Sequence, residues 1–255
     1  MSPTTRRIFL QMLAAAPLIS MAQRSDARES VILRLIKQGH EHATMPQRLD
    51  VISRSLLGVR YQAHTLIGGP RQKDLFVTRD DAFDCVTYCE VVLAAASTTD
   101  FPEYTNVLRR IRYAKGEVVW AERNHDFAQW NRSIVDNKIC RPVGITPPVT
   151  IEKALSGSGL GRRRYAIAAV PATAMMTHQN SLQPGDVIGF VSRRTELDFF
   201  HCGFVAFSKR GTLVLRHASQ SHGRVVDEDM TSFVAKTGVK YVTLLRAEEP
   251  AAALS

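Results

Sequence analysis

Disulfide staples are scarce in this sequence. Four cysteines, at 85, 89, 140 and 202, are too few to frame a chain of 255 residues, and a chain of that length does not need them, because it can bury a substantial core. Should Cys85 stay reduced for chemistry, at most one bridge can form among Cys89, Cys140 and Cys202. A membrane-spanning run is lacking too. The one candidate follows Arg7 and ends at Met21, short for a span of ~20 residues. No internal repeat or low-complexity segment occurs, which leaves no basis for a repeat array. Basic residues are scattered, and Arg162-Arg163-Arg164 is the one tight cluster. That pattern reads as a solvated strand entry, so nucleic acid is not an expected partner.

What the N-terminus does have is an address. Arg6-Arg7-Ile8-Phe9-Leu10 places adjacent arginines before the apolar stretch, which closes on Ser20-Met21-Ala22, small residues suited to a signal peptidase. Twin arginines followed by Phe and Leu resemble a Tat export signal. The expected organisation is a signal peptide over 1–22 and one domain over 23–255, periplasmic or secreted, with no transmembrane segment after cleavage. The formal net charge of +9 loses two units with Arg6 and Arg7 and stays basic. A basic exported protein suits a polyanionic neighbourhood such as wall polymer or a lipid surface. A monomer is expected.

Hydrophobic periodicity divides the mature chain in two. Ile32, Leu35 and Ile36, then Leu49, Ile52, Leu56 and Leu57, form helical stripes, the second ended by Gly58. Residues 75–77 are at most a short strand. Residues 101–113 read as a helix with Val107, Leu108 and Ile111 inward and the basic positions 109, 110 and 112 on a solvated face. Residues 141–161, rich in Pro, Gly and Ser, read as a long excursion. Short β-favouring runs follow at 165–170, 186–191, 202–207, 212–218, 224–227 and 239–245, punctuated by turns such as Gln183-Pro184-Gly185 and Ser221-His222-Gly223. Close spacing implies antiparallel pairing. Helices followed by a meander make an α+β domain.

The chemistry centres on Phe83-Asp84-Cys85. Charged turn formers stop at Asp81, a plausible N-cap, and an apolar run from Val86 through Ala96 follows. Cys85 then lies in or near the first helical turn, where unpaired N–H groups and the helix dipole favour thiolate. Downstream, His201 opens one strand and His217 ends the next, and the hairpin at 209–211 brings the two together if alternation points both the same way. A thiolate, an imidazole to share its proton and a polar group to orient that imidazole make the constellation of nucleophilic catalysis. Asp198 and His222 are rivals to His217 for the orienting role. The segment Arg123-Asn124-His125 to Trp130, dense in polar and aromatic groups, either caps a core or lines a site.

Phe83-Asp84-Cys85, Pro184-Gly185-Asp186, His201-Cys202-Gly203 and His217-Ala218-Ser219 together resemble the NlpC-type papain-like cell-wall peptidases, and within them the N-acetylmuramoyl-L-alanine amidase-like family. The resemblance covers roughly residues 61–245. It implies a papain-like NlpC-type fold, with the nucleophile at a helix N-terminus packed on an antiparallel sheet. It further implies Cys85 as nucleophile, His201 as base and acid, and His217 as the orienting residue. Tyr61, Asp84, Arg123, Asn124, His125 and Trp130 are implied substrate contacts. The substrate would be peptidoglycan, cut at an amide bond through an acyl-enzyme, with no metal or organic cofactor. The family usually shows Asp-Trp where Gln129-Trp130 stands here, and Cys89 and Cys202 are not part of its pattern. Alternatives are a γ-D-glutamyl–diamino acid endopeptidase or acyl transferase on the same fold, a non-catalytic wall- or lipid-binding module, and a zinc site from Cys85, Cys89, His201 and Cys202.

Overall fold

The computed structural model describes residues 21–156 and 159–250, so the twin-arginine segment lies outside the described residues. The N-terminal half supplies α1 (Met21–His40), α2 (Met45–Ser55), β1 (Arg60–Tyr61), β2 (Ile67–Gly69), β3 (Gln72–Leu75), β4 (Ala82–Phe83), α3 (Cys85–Ala96), α4 (Phe101–Arg112) and α5 (Phe127–Asp136). Then come β5 (Cys140–Pro142), β6 (Val149–Leu155), β7 (Arg163–Pro171), α6 (Ala172–Thr177), β8 (Val187–Val191), β9 (Phe199–Phe207), β10 (Leu213–Ser219), β11 (Arg224–Asp229), α7 (Met230–Thr237) and β12 (Tyr241–Ala247). The expected cleavage after Ala22 falls at the start of α1. Among the described residues, no helix is long and apolar enough to cross a membrane.

The sheet runs in the order β4-β1-β11-β10-β9-β8-β12-β7-β6, with β5 also against β12, and a separate β2–β3 hairpin stands apart. Its ladders are antiparallel except for the short β1–β4 pair. Helices lie on both faces. On one, α1 to α5 share a core with Val187, Val191, Cys202, Phe204 and Ala218. On the other, α6 and α7 pack on Ile188, Phe190, Val205, Leu213 and Leu215. Strands buried on both sides cannot alternate apolar with polar, and all five residues of β8 are accordingly buried. The mixed α+β class expected from the sequence is the class observed.

The helix carrying the nucleophile candidate is the centre of the larger core. From Tyr88 to Ala96 every residue of α3 is buried, and each large apolar side chain there contributes ~1.5–3 kcal/mol. Glu90 is the charged exception. Its carboxylate accepts from Arg112 Nε at 2.8 Å, and both side chains are 3% exposed. Arg112 also donates to the carbonyl of Val77. Arg112 is therefore not on a solvated face, as its position beside Arg109 and Arg110 suggests. A second buried cation, Arg216 on β10, is held by Asp227, Asp50 and Ser53. It ties α2 to the strand that carries His217.

The stretch 141–161 is not an excursion. Its residues build most of β5 and all of β6, and β6 pairs with β7 along seven residue pairs from Val149↔Ala169 to Leu155↔Arg163. Proline and glycine there mark strand ends and turns.

Candidate active site

The N-terminus of α3 is set by a reciprocal cap. Asp84, extended at φ −89° and ψ 179°, accepts from Thr87 N, and the Thr87 hydroxyl accepts from Asp84 N. The cap is thus Asp84 rather than Asp81, because residues 82–83 are drawn into β4. Cys85 becomes the first helical residue, where backbone N–H groups have no intrahelical partner. Tyr61, paired with Phe83 across β1 and β4, stands beside it.

The thiol of Cys85 is held well below its ordinary range. The largest cause is a hydrogen bond from the Cys202 thiol, and burial opposes it. A hydrogen bond from His201 and the His201 charge add to the lowering. Cys202 can serve as donor because burial, then the neighbouring sulfurs, push its own thiol far up. Burial also raises Cys89 and Cys140, so Cys85 is set apart from all three. Burial, then the charge of Cys85, raises the Tyr61 phenol and the Asp84 carboxyl. All four cysteines are free.

His201 and His217 meet nitrogen to nitrogen. Nε2 of His201 lies 2.5 Å from Nδ1 of His217, with the rings edge to face. The β9–β10 register pairs Phe204 with Arg216, and one step further places His217 opposite Gly203 and diagonal to His201. The glycine is needed there: a Cβ on Gly203 would come within 2.8 Å of His217 Cβ and of the Arg216 carbonyl. Phe233 of α7 packs on both rings. His217 is 2% exposed, and burial, then the charges of His201 and His222, lower it to about 3. It is a neutral imidazole at physiological pH. Its Nε2 lies 3.3 Å from Oε2 of Glu228 but off the line of a hydrogen bond, leaving that nitrogen without a partner. A cavity of about 400 Å³ opens here, lined by His201, His217, Glu228, Phe200, Phe233 and Lys236 among others.

The rivals to His217 are occupied elsewhere. Asp198 accepts from Ala128 N and Phe199 N, joining α5 to β9. His222 is hydrogen-bonded to Ser219 in the turn after β10. The segment 123–130 is split among other duties. Arg123 forms an ion pair with buried Asp74 of β3 at 3.1 Å. Asn124 donates to the Ile111 carbonyl, and His125 bonds and packs against Trp120. Trp130 is 1% exposed and stacks on Phe127. The structure thus gathers Tyr61, Asp84, Cys85, His201 and His217 in one place, while Trp130 lies in the core. Two neighbours were given no part in the thiol chemistry by the sequence reading. Cys202 carried a signal, since it stood off the family pattern. Glu228 lies one residue beyond the strand expected at 224–227. Among the described residues no group of three or more His, Cys, Asp or Glu is arranged to hold a metal ion, so Cys85, Cys89, His201 and Cys202 do not form a zinc site.

The family described as AmiA-like, N-acetylmuramoyl-L-alanine amidase-like, matches residues 51–239. The chain belongs to this family. No curated protein matches it. Among solved structures, a Legionella pneumophila str. Philadelphia 1 protein of family model DUF1460 superposes with a TM-score of 0.79 at 21% identity, covering 91% of this chain and 98% of that one. An N-acetylmuramoyl-L-alanine amidase from Bacteroides uniformis ATCC 8492 gives a TM-score of 0.69 at 20% identity, over 81% of this chain and 100% of the other. At such identities the likeness is one of fold.

Proposed function

We propose that this amidase-like family member is an exported, NlpC-type papain-like cysteine hydrolase that cuts an amide bond in peptidoglycan. The observation that carries the reading is the depressed thiol of Cys85 at a helix N-terminus, beside an imidazole that is itself hydrogen-bonded to a second imidazole. The family match supports the substrate class.

In this reading the Cys85 thiolate attacks the amide carbonyl and forms the Sγ–C bond. The oxyanion is met by backbone N–H groups of the first turn of α3 not engaged by Asp84. Collapse breaks the C–N bond, and His201 gives its proton to the leaving amine. A water molecule then passes a proton back to His201 and attacks the thioester, releasing the carboxylic acid product and the thiolate. His217 orients His201. Tyr61, a protonated phenol beside the sulfur, contacts the peptide stem. Asp84 contributes through the cap. Arg123, Asn124 and His125 contribute by holding the wall formed by the β2–β3 hairpin and the loop before α5. No step calls for a metal or an organic cofactor.

Digestion of purified sacculi followed by mass spectrometry of the released muropeptides tests the reading. Intact stem peptides are expected from the native protein and none from Cys85→Ala. Truncated stems would assign the endopeptidase chemistry instead. Undiminished release by Cys85→Ala would overturn the cysteine mechanism.

A further inference from the structure

The two histidines pose a tautomer problem that the Cys85–His201–His217 set cannot solve by itself. Two neutral imidazoles meeting nitrogen to nitrogen share one proton, and there are two ways to place it. If His201 donates from Nε2, its Nδ1 carries a lone pair and can take the proton of the thiol. His217 then accepts at Nδ1 and carries its own hydrogen on Nε2. If His217 donates from Nδ1, His201 carries its hydrogen on Nδ1, and its only lone pair is spent on His217. No base is left. When His201 is protonated on both nitrogens, as in the thiolate–imidazolium pair, His217 must again accept at Nδ1 and keep its hydrogen on Nε2.

The competent arrangement therefore needs an acceptor at Nε2 of His217. Glu228 Oε2 is 3.3 Å from that nitrogen, which is buried and otherwise without a hydrogen-bond partner. The β10–β11 register pairs Leu215 with Glu228 and His217 with Val226. Glu228 thus sits diagonal to His217 on the face where both point toward α7. Its side chain is 18% exposed and borders the 400 Å³ cavity, so it has room to turn into line. A carboxylate can only accept, and it selects one tautomer where a hydroxyl or amide would admit both.

We infer that Glu228 is a positioning residue, completing a Cys85–His201–His217–Glu228 relay by fixing the hydrogen of His217 on Nε2. The inference rests on the proposed cysteine chemistry but goes beyond its three members. Other charged or titratable groups around His217 are His201 on β9, His222 in the turn after β10 and Lys236 on α7. His222 and Lys236 each place positive charge near His217 when protonated, which leaves Glu228 as the acidic partner.

The test compares the native protein with Glu228→Ala and Glu228→Gln by three readouts. Nitrogen-15 NMR of the imidazoles at pH 7 reports the tautomer of His217. The native protein should show the Nε2–H form, and Glu228→Ala a mixture containing Nδ1–H. Iodoacetamide labelling of Cys85 as a function of pH should move alkaline by roughly half a unit or more in Glu228→Ala, because the imidazolium facing the thiolate has lost its support. On muropeptide, kcat should fall roughly tenfold with KM little changed, and Glu228→Gln, whose amide can accept from Nε2–H but also admits the other tautomer, should recover only part of the loss. An unchanged His217 tautomer together with an unchanged labelling profile in Glu228→Ala would overturn the inference. If the native protein turns out not to hydrolyse muropeptide, the proposed function fails, while the tautomer and labelling readouts still decide the role of Glu228.

Discussion

Acidification should destabilise this protein through one histidine, by an amount the structure fixes. His217 is 2% exposed, and its imidazole is lowered from 6.5 to about 3, chiefly by burial. Between those limits the unfolded chain takes up a proton that the folded chain refuses. Stability therefore rises with pH across the window and is lost as pH falls. Each pH unit below 6.5 is worth ~1.4 kcal/mol, so the loss reaches roughly 2 kcal/mol at pH 5, against a total of ~5–15 kcal/mol for a typical domain. In urea, with a slope of ~2–3 kcal/mol per molar, the midpoint should drop by roughly 1 M between pH 7.5 and pH 5. Buried carboxyls act in the opposite sense. Asp84, Glu90 and Asp198 are all raised by burial, and each regains stability as it protonates. The comparison is therefore between the native protein and His217→Asn, which keeps those carboxyls and removes the imidazole. The variant should lose less stability over the same interval, by roughly 2 kcal/mol. Parallel pH dependence in the two proteins would refute the argument, because the refused proton could not then be that of His217.

Two further outcomes follow from buried charge and from the cap. Glu90→Ala leaves Arg112 buried without its anion and should cost about 3–5 kcal/mol in urea denaturation. A loss under 1 kcal/mol would mean that water reaches the guanidinium. Asp84→Ala removes the N-cap of α3 and should cost ~1 kcal/mol, whereas Asp84→Asn should stay within a few tenths because asparagine caps as well. Equal losses in the two variants would assign the effect to the charge of Asp84 rather than to its hydrogen bond.

The parts of this molecule legible in the sequence are those set by local signals. The apolar run after Cys85 reads as a buried helix, and α3 is buried from Tyr88 onward. The runs at 202–207 and 212–218 read as a hairpin, and β9 and β10 pair as one. His201 and His217 could be placed together for the same reason. The failures have physical causes. Asp81 and Asp84 both suit an N-cap, and what decides between them is the parallel pairing of β4 with β1, which no local signal reports. Arg112 shares its sequence neighbourhood with exposed Arg110 and half-buried Arg109, and only the tertiary position of Glu90 draws it inside. The helix α7 offers Asp229 as cap and Gly238 in the left-handed region at φ 60°, yet its eight residues are too few for a stripe to stand out. Trp130 was a candidate substrate contact by resemblance. Its burial follows from the packing of α5 on α4 and β7, contacts distant in sequence.

The origin of the lowered thiol carries a consequence for the stage of folding at which the chain acquires it. The groups that bring Cys85 down belong to His201 and Cys202, more than a hundred residues after the sulfur. A fragment ending before β9 would hold the whole of α3 but lack the two side chains that lower its cysteine. Packing β9 against α3 is a long-range closure and belongs to the slow part of folding. The lowered thiol therefore arrives with the finished architecture and not with the helix that bears it.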